Sequence, residues 1–132
     1  MEVQIQLYDR SEKVLTTIYV EQLTESRFRM TENDIFNCQL TKGTEFQTRL
    51  NQDGQHEIVR IIQNSVYITR RFLLPIKFNV NDYRVLGDEL LNYGGFWQVD
   101  FGRFLTINIP KDFKFDIDSV IKKFKLKVSE IR

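Results

Sequence analysis

The period of the apolar positions changes partway along the chain. Val3, Ile5 and Leu7 alternate with polar neighbours, the two-residue period of a strand with one buried face. Val14, Thr16, Ile18 and Val20 alternate with Leu15, Thr17 and Tyr19, a β-branched second strand with apolar groups on both faces. Arg27 to Met30 reads as a short third strand after the polar break Thr24-Glu25-Ser26. Ile35 to Leu40 reads as a further short piece before Thr41-Lys42-Gly43. Thr44 to Leu50 and Glu57 to Gln63 alternate again, joined by Asn51-Gln52-Asp53-Gly54. That Asp-Gly pair suits a hairpin, since glycine tolerates positive φ. No helical period of three turns occurs in this half, so it predicts short antiparallel strands in a small curled sheet or partial barrel.

The second half mixes periods. Val66 to Leu74 is a strand ended by Pro75, which has no N–H to donate. Asn79 or Asn81 can cap a helix through Asn92, with Tyr83, Leu86 and Leu90 on one face and Gly94-Gly95 closing it. Phe96 to Phe101 and Arg103 to Ile109 form a hairpin about Gly102, with Trp97, Val99 and Phe101 on one face. The most self-consistent stretch is Leu105 to Lys125. Leu105, Ile107 and Ile109 keep the strand period to Pro110. Then Ile117, Val120, Ile121 and Phe124 recur at i, i+3, i+4 and i+7, with Asp116 as N-cap and Lys122, Lys123 and Lys125 toward the C-terminal end. Leu126 to Ile131 alternates as a last strand. The order β-α-β-β-α-β is that of a ferredoxin-like arrangement. With no repeat or flexible linker, the chain reads as one α+β domain, residues 1–65 forming the β-rich half and residues 66–132 the βαββαβ half, packed together.

Composition narrows the function. Of 132 residues, 42% are hydrophobic and 28% charged, a globular balance, and 11 Phe predict a Phe-rich core. The net charge of +1 gives no general case for nucleic acid or an anionic membrane. The halves differ: residues 1–65 carry seven Lys/Arg and ten Asp/Glu, and residues 66–132 carry twelve and eight. One cysteine, Cys38, excludes an internal disulfide framework and reads as a small buried or half-buried filler. The acidic, alternating start is no secretory signal, and no apolar run approaches the ~20 residues of a membrane span, so a soluble cytoplasmic protein is expected.

Six short motifs occur in order along the chain: Ile18-Tyr19-Val20-Glu21, Arg27-Phe28-Arg29-Met30, Asn33-Asp34-Ile35-Phe36-Asn37, Leu40-Thr41-Lys42-Gly43-Thr44-Glu45, Asn64-Ser65-Val66-Tyr67-Ile68-Thr69-Arg70 and Leu105-Thr106-Ile107-Asn108-Ile109-Pro110. In this order they resemble a bacterial domain-of-unknown-function family (number forty-two sixty-five). Thr44 stands where that family has Asp after Gly, and Val66-Tyr67 replaces its small residues after Ser. The resemblance implies a fold covering most of the chain and carries no established activity.

The inventory offers little for catalysis. His56 is the sole imidazole and reads as a surface residue at a hairpin edge, with no nucleophile or paired carboxylate beside it in sequence. A hydrolase-like role for it is the weakest reading. One Cys and one His do not supply a zinc site, and Asp112, Asp116 and Asp118 read as helix-start carboxylates. Gly94-Gly95 and Gly43 lack phosphate-loop spacing. No cofactor or metal is expected. The favoured expectation is a non-enzymatic bacterial binding protein of the immunity type. It would neutralise a cognate toxin by direct protein–protein contact through Glu21, Glu25, Glu32, Asp34 and Glu45, as a monomer or homodimer. The alternative is an RNA-binding module using Arg70, Arg71, Phe96, Trp97 and Arg103 on the C-terminal sheet, set against plain core packing of that hairpin.

Overall fold

The computed structural model describes residues 2–37, 39–77, 79–112 and 116–131. Cys38, the expected filler, lies outside them. The chain is an α+β protein that divides into two compact units, Met1–Val66 and Tyr67–Arg132.

In the first unit β1 (Glu2–Asp9), β2 (Val14–Gln22), β3 (Arg27–Met30), β4 (Glu45–Leu50) and β5 (His56–Gln63) follow one another as an antiparallel meander. The sheet does not stay open as a curl. It closes into a barrel through a parallel contact of β1 with β5 at Leu7 and His56. Two register shifts in the β4–β5 pair, between Glu45 and Phe46 and between Gln47 and Thr48, supply the extra local twist that closure needs. Alternation sends Ile5, Leu7, Ile18, Val20, Phe28, Met30 and Phe46 inward, with Leu40 from the β3–β4 connection completing the cluster. Among the described residues of the expected short piece at Ile35–Leu40, none is in a strand; Asp34 N–H donates to Leu40 O at 2.8 Å, and Leu40 is fully buried. The β4–β5 turn is organised by Asn51. Its Oδ1 accepts from Asp53 N and Gln55 N, and Gly54 takes φ +76 as its position predicts.

The second unit contains β6 (Tyr67–Leu73), α1 (Val80–Asn92), β7 (Phe96–Asp100), β8 (Phe104–Pro110), α2 (Ile117–Lys123) and β9 (Ser129–Ile131). Its four strands are ordered β7-β8-β6-β9, all neighbours antiparallel. Asn79 caps α1, its side chain accepting from Asn81 N at 2.9 Å, and Asp116 caps α2, accepting from Ser119 N at 3.1 Å. Phe72, Leu74, Tyr83, Leu86, Leu90, Leu105, Ile107, Ile109 and Ile117 form the core. Three details depart from the strand and helix periods. α2 ends at Lys123, Lys125 turns the chain at φ +52, and Phe124 leaves the apolar face to stand 44% exposed while Ile117, Val120 and Ile121 stay packed. Phe101 is the left-handed corner of the hairpin (φ 51), 70% exposed, and does not join Trp97 and Val99. β8 is buried on both faces, Thr106 and Asn108 included, and Asn108 Nδ2 donates to Thr69 Oγ1 at 2.9 Å.

Candidate functional site

The register of the barrel assembles a row across its outer wall. Glu2 pairs with Glu21, Glu21 with Arg29, Arg29 with Glu45, and Glu45 with Gln63, one residue from each strand. Paired residues point to the same side of a sheet, so the row holds three carboxylates about one guanidinium. Arg29 donates to Glu45 Oε1 through Nη2 at 2.6 Å and Nε at 3.2 Å, and to Glu21 Oε2 through Nη1 at 3.1 Å. Its hydrogen bonding to Glu45 is the main reason the Arg29 guanidinium pKa rises, desolvation opposing. Sequence reasoning named Glu21 and Glu45. It missed Arg29 as their clamp and Glu2 as their neighbour, which only strand register reveals.

The other expected acidic contacts are placed differently. Glu25 is exposed in the β2–β3 turn and Glu32 is exposed in the β3–β4 connection. Asp34 is 9% exposed, and its Oδ1 accepts from Phe36 N at 2.9 Å.

The residues expected to bind RNA do not share a face. Trp97 lies against α1, where a Cβ at Gly87 would come within 2.4 Å of its ring, and Arg70 stacks over Phe72 on that same helix-covered side. Arg70 is also held by Glu130 (2.8 Å from Nε) and Asp118 (3.0 Å from Nη2), which raise its pKa, the Glu130 bond most. Phe96 precedes Trp97 and Arg71 follows Arg70, so the two-residue period turns both to the opposite face, where Phe96 meets Tyr67 edge-on at 5.6 Å. Arg103 is spent on the fold, donating from Nε to Leu74 O at 3.0 Å.

His56 is also placed otherwise than expected. It opens β5 half-buried, its ring edge-on to Phe28 at 5.1 Å and its Nδ1 in a 2.7 Å hydrogen bond with Thr48 Oγ1. Burial lowers its pKa. Nearby, a cleft of about 620 Å³ at the barrel end is lined by Arg10, Arg49, Asn51 and Glu57 among others. Arg10 grips Glu57 with two bonds of 3.0 and 2.9 Å, and Asn51 Nδ2 adds a third at 3.0 Å. These bonds lower the Glu57 pKa, that from Arg10 foremost. The pair is a satisfied closure of the barrel end. Among the described residues no group of three or more His, Cys, Asp or Glu could hold a metal ion.

No protein-family model matches the chain, and no curated protein matches it. Among solved structures it is similar to the crystal structure of a hypothetical protein from Neisseria gonorrhoeae. The likeness covers 95% of this chain and 87% of that one, with a TM-score of 0.60 at 15% identity. It bears on the fold alone. No helix among the described residues is long and apolar enough to cross a membrane.

Proposed function

We propose that the protein is a non-enzymatic bacterial binding protein of the immunity type, acting in the cytoplasm by occluding a basic surface of a cognate toxin. The observation that carries this reading is the acidic row Glu2-Glu21-Arg29-Glu45. Arg29 balances one carboxylate and leaves a net charge of −2 along it. Arg29 also pre-orders Glu21 and Glu45, which lowers the side-chain entropy lost on docking. The six ordered motifs support kinship with the domain-of-unknown-function family that they resemble. The strand order β7-β8-β6-β9 with two interposed helices supports a ferredoxin-like second unit.

Neutralisation is the test. The product of the gene adjacent to this one in its host is expressed alone and together with this chain. Growth arrest in the first case, rescue in the second, and loss of rescue by Glu21→Gln/Glu45→Gln with an unchanged circular-dichroism spectrum are expected. No arrest, or rescue untouched by removing both charges, refutes the reading. The RNA-binding alternative has no such assembled surface, since its five residues divide between two faces and a hairpin turn.

A further inference from the structure

We propose that the second unit carries a separate site for single-stranded nucleic acid, in the cleft between the start of α1 and the segment after α2. The excess positive charge of residues 67–132 is concentrated in Lys122-Lys123-Phe124-Lys125-Leu126-Lys127. The fold brings Lys77, which precedes α1, to the lining of one cleft of about 540 Å³ together with Lys125 and Lys127. All three lysines are exposed, and among the described residues none of them has an ion-pair or side-chain hydrogen-bond partner. Arg70, on the same unit, is neutralised by Glu130 and Asp118. Asp82 is the one acidic residue among the described residues lining the cleft. Lysines left unpaired about a concavity form a cationic groove, complementary to a phosphate backbone.

Phe124 and Leu126 line the same cleft, and Phe124 is 44% exposed with Lys123 Nζ 5.5 Å from its ring centroid. An exposed ring amid cations distinguishes a polynucleotide site from a mere phosphate trap, because bases stack on rings while phosphates pair with lysines.

The test is fluorescence anisotropy of a labelled oligouridine, with an oligothymidine in parallel, titrated with the full chain at several salt concentrations. Binding of either polymer is expected, with a log–log salt slope near −2, about −0.7 for each of three phosphates. Lys125→Ala and Lys127→Ala should each flatten that slope by about 0.7. Phe124→Ala should weaken binding roughly fivefold or more. Lys111→Ala, outside the cleft, should change neither. Failure of both polymers to bind at low salt overturns the proposal. So does binding indifferent to the Lys77→Ala/Lys125→Ala/Lys127→Ala triple variant, or inorganic phosphate displacing the probe as well as the same concentration of oligomer phosphate.

Discussion

Gly87 is the position where two opposing effects are most sharply set against each other. It lies inside α1, where replacing glycine by alanine ordinarily stabilises by about 1 kcal/mol through helix propensity. Here the added methyl would stand 2.4 Å from Trp97 Cε2, 2.6 Å from Nε1 and 2.8 Å from Cζ2, all well inside van der Waals contact. The indole has no cheap retreat, because it packs against the buried core of the second unit. Overpacking of this kind costs about 1–3 kcal/mol, so Gly87→Ala should be net destabilising by roughly 0–2 kcal/mol. Trp97 is the sole tryptophan, so its emission during urea unfolding reports the second unit directly. The expected result is a lower midpoint with a shifted native emission maximum. In a Trp97→Leu background the clash is gone, and Gly87→Ala should then stabilise by up to about 1 kcal/mol, read by circular dichroism. Stabilisation by Gly87→Ala in the native background, with unaltered Trp97 emission, would refute the packing argument.

Other consequences are open to measurement. Phe46→Ala, which empties a fully buried site in the barrel, should cost about 3–5 kcal/mol by chemical denaturation. Arg70→Met removes the bonds to Glu130 and Asp118 from a side chain only 24% exposed, and should cost about 1–3 kcal/mol, less in high salt. Asn79→Ala should cost about 1 kcal/mol through loss of the α1 cap. His56 has a folded pKa below its ordinary 6.5, so the unfolded chain takes up the proton first as pH falls. Its contribution is complete above pH 6.5 and declines as pH drops through that value. The unfolding midpoint should therefore fall between about pH 7 and 5 in the native chain and stay flat in His56→Gln. Equal slopes in the two would remove His56 as the cause.

Local periodicity determined the elements of this protein because strand alternation, Asn79 and Asp116 caps, the Asp53-Gly54 turn and the Pro75 stop act within a few residues. The β-rich first half and the β-α-β-β-α-β order of the second were legible for the same reason. Barrel closure was not, since it depends on two register shifts in β4–β5 and a contact between Leu7 and His56, 49 positions apart. Register decided the acidic row as well. Glu21 and Glu45 were visible as charges, but Arg29 becomes their shared partner only when β2, β3 and β4 lie side by side, and the burial of Asp34, whose N–H donates to the fully buried Leu40, shows only in the tertiary structure. The same holds for Arg70 and Trp97, which the aromatic composition offered to a ligand and the helix-covered face of the sheet took for itself. Sequence sets which side chains alternate; pairing between distant strands sets what each of them faces.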